Sequence, residues 1–230
     1  MKKVLKILGI ILVILIVLVA IYYVVIHFDG FLNKDNEMTR EEVIELLEKG
    51  KEYPNYYYSS ESTWLFGKID EIKTERYIKD NIVKVVVDGK VDSWTDYNND
   101  ERISILGEHD GKKYASVSNL DNFEENDQSQ RGFDYSLISD EETFNTDFKY
   151  LGEKQVDGRD TIIVKVWNKD WVSVDSTKFY IDKETGFIMR RVDYTALGFF
   201  KIDCNRNVKM DVVTDEDIQR PDLEGYEILQ

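Results

Sequence analysis

Cysteine occurs once in the 230 residues, at Cys204. A single thiol excludes an intrachain disulfide and any CxxC metal or redox pair. Cys204 also stands far from the end of the apolar N-terminal run, where a lipoprotein would carry its acylated cysteine. It reads as a partly buried thiol near the end of a strand rather than as a nucleophile. Histidine occurs twice: His27 closes the apolar run and His109 precedes a turn, so no two-histidine metal site is expected within the folded domain. A Ser-His-Asp relay through His109 would need a serine elbow such as GxSxG, which is missing. Proline is confined to Pro54 and Pro221 and there is no low-complexity linker, so everything after the N-terminal segment is expected to be one domain.

Other chemistry is missing as well. No phosphate-binding glycine loop appears. The nearest approach to a calcium loop, Asp96-Tyr97-Asn98-Asn99-Asp100, has Glu101 where glycine is required and Gly107 where the bidentate glutamate should stand. With 45 acidic residues some carboxylates will always be neighbours, so a pair of them signals nothing about glycoside chemistry. The expectation is a chain without catalysis, metal or cofactor. Basic residues are also in deficit: the formal charge is −15, and because Lys2, Lys3 and Lys6 precede the apolar run, the remainder carries 27 basic against 45 acidic residues, or −18. Such a surface repels phosphate backbones, which excludes nucleic acid as a partner.

What is there begins at Ile7. From Ile7 to Ile26 the chain is uncharged, long enough as a helix at 1.5 Å per residue to cross a bilayer, and longer than the core of a cleavable signal peptide. Three lysines before it and Asp29 after it place the N-terminus in the cytoplasm and the rest outside. The expected organisation is a cytoplasmic stub and signal-anchor over 1–28, a tether over 29–38 and an extracytoplasmic domain over 39–230, held at the cell membrane by one span.

Thr39 with Glu42 forms a capping box. Val43, Leu46 and Leu47 give the apolar stripe of a helix from about Arg40 to Lys49, ended by Gly50. From Tyr53 the texture is strand after strand, with turn signals at Lys79-Asp80-Asn81, Asp88-Gly89, Asp110-Gly111 and Asp157-Gly158. This predicts a meandering antiparallel sheet. Leu120 to Arg131 is too polar for a strand and reads as an exposed loop, and Ser139 with Glu142 reads as the start of a short helix ending before Asp147.

The stretch "FYIDKETGFIMRRVDY", Phe179 to Tyr194, is a hairpin suited to water on neither face. Phe179, Ile181, Phe187 and Met189 alternate onto one side; Tyr180, Ile188, Val192 and Tyr194 alternate onto the other. Something is expected to cover both. Aromatic and aliphatic bulk on strands either fills one core or in part lines a cavity. The candidate lining is Trp64, Phe66, Trp94, Trp167, Phe179, Ile181, Phe187 and Met189.

The C-terminal half, "YLGEKQVDGRDTIIVKV", "KFYIDKETGFIMRRVDY" and "KMDVVTDEDIQRPDLEGYEI", resembles the LolA/LolB/RseB-like superfamily. The matching residues are Val156, Gly158 and Arg159, then Tyr180, Ile181, Asp182, Thr185 and Gly186, then Pro221. In texture it is also similar to germination lipoproteins of spore-forming bacteria. The resemblance implies a mainly β (α+β) fold: an open, curved antiparallel sheet, an unclosed barrel, with helices on its concave side, here preceded by a transmembrane helix. It further implies an apolar cavity that holds a lipid or lipoprotein acyl chain. The chain departs from the family's soluble shuttles in its anchor and from the acylated members in lacking a lipobox cysteine. The alternative is a protein-interaction module that regulates or scaffolds a cell-envelope or sporulation enzyme or an envelope-stress signalling protein. Tyr56 to Tyr58 and Leu120 to Arg131 would then be its exposed contact segments.

Overall fold

The computed structural model describes residues 2–27, 38–51, 53–64, 73–120, 135–139, 145–168, 176–195 and 198–229. Helix α1, Lys2–His27, is a continuous 26-residue helix. Its large side chains from Ile7 to Ile21 are all exposed. Side chains are described only for 7–21 of it, fewer than the ~20 residues a bilayer requires, and among the described residues no helix is long and apolar enough to cross a membrane.

Helix α2, Arg40–Lys51, starts as expected: the Thr39 amide donates to Glu42 Oε2 at 2.7 Å and the Glu42 amide to Thr39 Oγ1 at 3.2 Å. It runs through Gly50 to Lys51 instead of stopping at the glycine, because this end of the helix is set by what it packs on. Twelve strands follow among the described residues: β1 Asn55–Trp64, β2 Thr74–Lys79, β3 Ile82–Val87, β4 Lys90–Asp96, β5 Glu101–His109, β6 Lys112–Asn119, β7 Thr146–Val156, β8 Arg159–Asn168, β9 Ser176–Asp182, β10 Ile188–Thr195, β11 Gly198–Met210 and β12 Tyr226–Leu229. They form a single sheet in the order β12-β6-β5-β4-β3-β2-β1-β11-β10-β9-β8-β7. It is two meanders joined where β1 pairs with β11, and it is unclosed. The turns Asp80-Asn81, Asp88-Gly89, Asp110-Gly111 and Asp157-Gly158 all take positive φ at both residues, the geometry of two-residue hairpins that follow the strand twist.

A second helix departs from the sequence reading. Helix α3 is Ser136–Ser139, so Ser139 ends it: the Ser139 amide and hydroxyl both donate back to the Tyr135 carbonyl. Glu142 lies outside the described residues, as do 121–131 of the expected loop, while Leu120 is buried and its amide donates to the Asp100 carbonyl.

The main core lies on one face of the sheet. Val43 and Leu47 of α2 and Ile138 of α3 join Tyr56, Tyr58, Ile78, Val83, Ile162, Val164, Phe179, Ile181 and Phe187 there, most with 0–3% exposure. The α2 end rests on the β9–β10 turn so closely that a Cβ on Gly186, whose φ is +73°, would lie 1.9 Å from the Leu46 carbonyl oxygen. The opposite face is crossed over β1 to β6 by the C-terminal strap, residues 211–229. Asn55 holds Val213 by two side-chain bonds of 2.9 Å, Arg220 grips Glu101, and β12 adds to β6 as the one parallel pairing in the described sheet.

Candidate functional site on the concave face

The hairpin over 179–194 carries a bulge. Ile188 stands opposite Ile181, Arg190 opposite Tyr180 and Arg191 opposite Phe179, with the register shifting between Ile188 and Arg190. Strict alternation put Ile188 on the far face; the extra residue returns it to the core beside Ile181 while Met189 stays buried there too. The far side of the hairpin is cationic and aromatic. Lys149, Lys165 and Lys178 are directly opposed across β7, β8 and β9, and Lys165 Nζ lies 4.9 Å from the Trp167 ring and 5.4 Å from the Tyr194 ring. Ring faces stabilise such cations where cross-strand like charges alone would repel.

Several of the residues that carry the sequence resemblance form a clasp between neighbouring turns. Arg159, at the start of β8, donates from Nη1 to Asp182 Oδ2 at 2.6 Å and from Nη2 to the Val208 carbonyl at 3.2 Å. Asp182, 2% exposed, also accepts from Thr185 Oγ1 at 2.7 Å and from the Glu184 amide at 3.2 Å. The Gly186 amide returns to the Asp182 carbonyl at 2.9 Å, and α2 seats on that glycine. Gly158, Arg159, Asp182, Thr185 and Gly186 therefore do structural work: they tie β7–β8 to β9–β10 and fix the surface on which α2 lies. The hollow of about 520 Å³ beside the clasp is polar, lined by Gly158, Arg159, Asp160, Asp182, Lys183 and Glu184.

Of the eight candidate lining residues, the structure brings four together: Phe179, Ile181 and Phe187 at 0% exposure and Met189 at 1%, all in the core that α2 covers. Trp94 is elsewhere. It pairs with Lys84 and Ile103 on the opposite face, where its indole N–H donates to the Ile218 carbonyl at 2.8 Å beneath the strap; it cannot line the concave side because Val83 and Val85, not Lys84, face inward on β3. Trp167 is half-buried opposite Ser176 in the outer aromatic group. Trp64 ends β1 but its side chain, like Phe66 altogether, lies outside the described residues. Tyr56 and Tyr58 are core residues, not exposed contact points, since β1 alternation turns only Tyr57 outward, where its hydroxyl donates to Glu75 at 2.8 Å. Cys204 sits in the middle of β11 rather than near a strand end; burial pushes its thiol up, away from reactivity.

What the sequence reading missed is the grading of the concave face. Register places Tyr58, Arg76, Val85, Ser93, Ser104 and Ser116 in one inward row across β1 to β6, and Tyr56, Ile78, Val83, Thr95, Arg102 and Ser118 in the next. Both rows begin aromatic or aliphatic near α2 and end in hydroxyls toward β6, with one arginine each. A signal was present, because serine and threonine alternate along β4 to β6. It becomes legible only once the inward side is known. Burial pushes the Tyr58 hydroxyl up to about 12, the positive charge of Arg76 opposing the rise. Among the described residues no cluster of histidine, cysteine or acidic side chains could hold a metal.

No family model matches the chain, and no characterised protein matches it by sequence. Solved structures do resemble it. MucB superposes with a TM-score of 0.50 at 13% identity over 79% of this chain, and this chain spans only 62% of MucB's length. A conserved protein of Thermus thermophilus superposes with a TM-score of 0.50 at 11% identity, over 84% of this chain and 99% of that one. MucB is an RseB-type protein of the LolA/LolB-like fold. The sheet order, the concave helices and these superpositions together make this a LolA/RseB-like fold, at identities that speak to architecture alone.

Proposed function

We propose that the chain is a membrane-tethered, extracytoplasmic binding domain without catalysis that takes a lipid or lipoprotein acyl chain on its concave face. The observation that carries this reading is the grading of that face from aromatic and aliphatic near α2 to serine, threonine and arginine toward β6. An amphiphile suits such a surface: its chain gains ~0.8 kcal/mol for each buried CH2 while its polar end meets hydroxyls and guanidinium groups. Phe179, Ile181, Phe187 and Met189 already pack against Val43 and Leu47, so a chain reaches them by displacing α2. Ligand binding and α2 movement are then one equilibrium.

The tether is α1. Its apolar side chains project on every side between Ile7 and Ile21, and a helix apolar all round has no polar face to offer water. The uncharged sequence continues to Ile26, which brings it to bilayer length, and the lysines ahead of it keep the N-terminus in the cytoplasm. Localisation to the cell membrane with 39–230 outside as one domain follows.

A protein partner is the second reading. It is favoured by the complete burial of those four core residues, which leaves an ordinary core in place of a cavity, and by the complex that MucB forms with MucA. Native mass spectrometry of residues 33–230, purified without detergent, tests the two. Discrete adducts at lipid masses support the acyl-chain reading. A bare mass, together with no labelling by a photoreactive fatty acid, refutes it, and crosslinking in cells then looks for an envelope protein.

A further inference from the structure

Tyr58 and Arg76 are direct cross-strand neighbours on the concave face. Tyr58 is 1% exposed and its hydroxyl has no hydrogen-bond partner among the described residues. Arg76 lies over the Tyr58 ring, Cζ 5.5 Å from the centroid, and donates from Nη1 to Ser60 Oγ at 2.9 Å; its Nε is shielded from solvent and likewise has no hydrogen-bond partner among the described residues. Nε and Nη2 form the edge with which a guanidinium grips both oxygens of a carboxylate or phosphate, and on Arg76 that edge makes no described bond. Four other arginines are used differently, though Arg190 Nε is, like Arg76 Nε, shielded and without a partner among the described residues. Arg159, Arg191, Arg206 and Arg220 each hold a carboxylate of this chain, whereas Arg76 forms no ion pair among the described residues, in a chain with 45 acidic side chains. Shielded donors without a hydrogen-bond partner carry a desolvation cost.

We propose that Arg76 and Tyr58 form a binding site for an anionic oxygen headgroup, the carboxylate or phosphate of an amphiphile whose chain lies along Tyr56, Ile78 and Val83. The inference rests on the acyl-chain reading and names the ligand's head. The guanidinium edge takes two oxygens side-on, and the Tyr58 hydroxyl donates to one of them. Arg102, inward in the next row, adds positive charge on the same side. Both donors are shielded, so the site forms contacts as the ligand enters and displaces what covers the face.

The test uses the full chain in nanodiscs of zwitterionic phosphatidylcholine, with photoreactive palmitate and photoreactive hexadecanol as probes and adducts mapped by peptide mass spectrometry. The expected result is palmitate labelling of β1 and β2 that exceeds alcohol labelling by roughly tenfold, the loss that goes with one charge-assisted hydrogen bond. Arg76→Gln should bring palmitate down to the alcohol level without changing alcohol labelling, Arg76→Lys should restore part of it, and Arg220→Gln on the outer face should change nothing. Unchanged alcohol labelling shows that the Arg76→Gln variant is folded. Millimolar inorganic phosphate that competes with palmitate in the unmodified chain, and not in Arg76→Gln, supports the site and assigns its anion to free phosphate. Equal labelling by acid and alcohol, insensitive to Arg76, overturns this inference and leaves the acyl-chain reading standing. Labelling by neither probe on the concave face overturns both.

Discussion

Gly186→Ala is the substitution whose cost follows most directly from the structure. Two effects add. First, a residue with a side chain at φ +73° sits in the left-handed region, which costs roughly 1–2 kcal/mol for an L-residue. Second, the new Cβ would be 1.9 Å from the Leu46 carbonyl oxygen, 2.9 Å from its carbon and 3.2 Å from the Gly50 nitrogen. All three are backbone atoms of α2, so the helix itself must retreat by about an ångström, and a gap of that size forfeits a quarter to a half of the dispersion attraction across it. Val43 and Leu47 are wholly buried beneath α2 and are worth roughly 1.5–3 kcal/mol each, so the retreat loses about 1–3 kcal/mol more. The sum is about 2–5 kcal/mol. Gly89→Ala is the control, because Gly89 has φ +77° with nothing within 4 Å and should show the strain alone, about 1–2 kcal/mol. Urea unfolding of the chain from residue 33, followed by tryptophan fluorescence, gives both numbers. If Gly186→Ala costs no more than Gly89→Ala, α2 does not rest on the turn as described and the covering of the core is misread.

Three further outcomes follow from the same contacts. Asp182→Asn removes the charge that Arg159 and Thr185 share; since Arg159 is a quarter exposed, the loss should fall near the low end for a broken buried pair, about 3 kcal/mol, and a double-mutant cycle with Arg159→Met should show the two costs to be far from additive. Trp94→Phe leaves the Ile218 carbonyl unmet under the strap and should cost about 1–2 kcal/mol, with faster amide exchange confined to 211–229 and β6; unchanged exchange there would show that the strap is held otherwise. Tyr58 supplies a pH signature. Its hydroxyl is held up to about 12 against an ordinary value of 10.0, so the folded state favours the protonated phenol. The contribution is full below pH 10 and is lost as pH rises toward 12. Its size is on the order of 3 kcal/mol. Tyr58→Phe should flatten the fall of stability above pH 10, and an identical alkaline profile in the variant would refute the assignment.

The sequence by itself determined the local elements and their spacing. Thr39 and Glu42 cap α2 because a capping box needs only residues three apart, and the Asp-Gly pairs close hairpins because two adjacent residues can take positive φ without outside help. The meander and the clasp residues Arg159, Asp182 and Gly186 were legible as short-range patterns or as a family resemblance. Ser139 was misplaced because a serine that ends a helix and one that begins it look alike until the chain on either side is known. Only the tertiary structure decided which face of each strand is inward. The bulge between Ile188 and Arg190 brings Ile188 to the core while Val192 and Tyr194 keep the far face that alternation gives them, and no alternation rule announces where it falls. The same holds for Trp94, apolar and buried as its composition suggests, yet buried under a strap that returns from more than a hundred residues away. The graded concave face is the strongest case: Arg76 and Tyr58 are eighteen residues apart in the chain and become neighbours by strand register alone, because hydrogen bonding between strands, not proximity in sequence, sets which side chains share a surface.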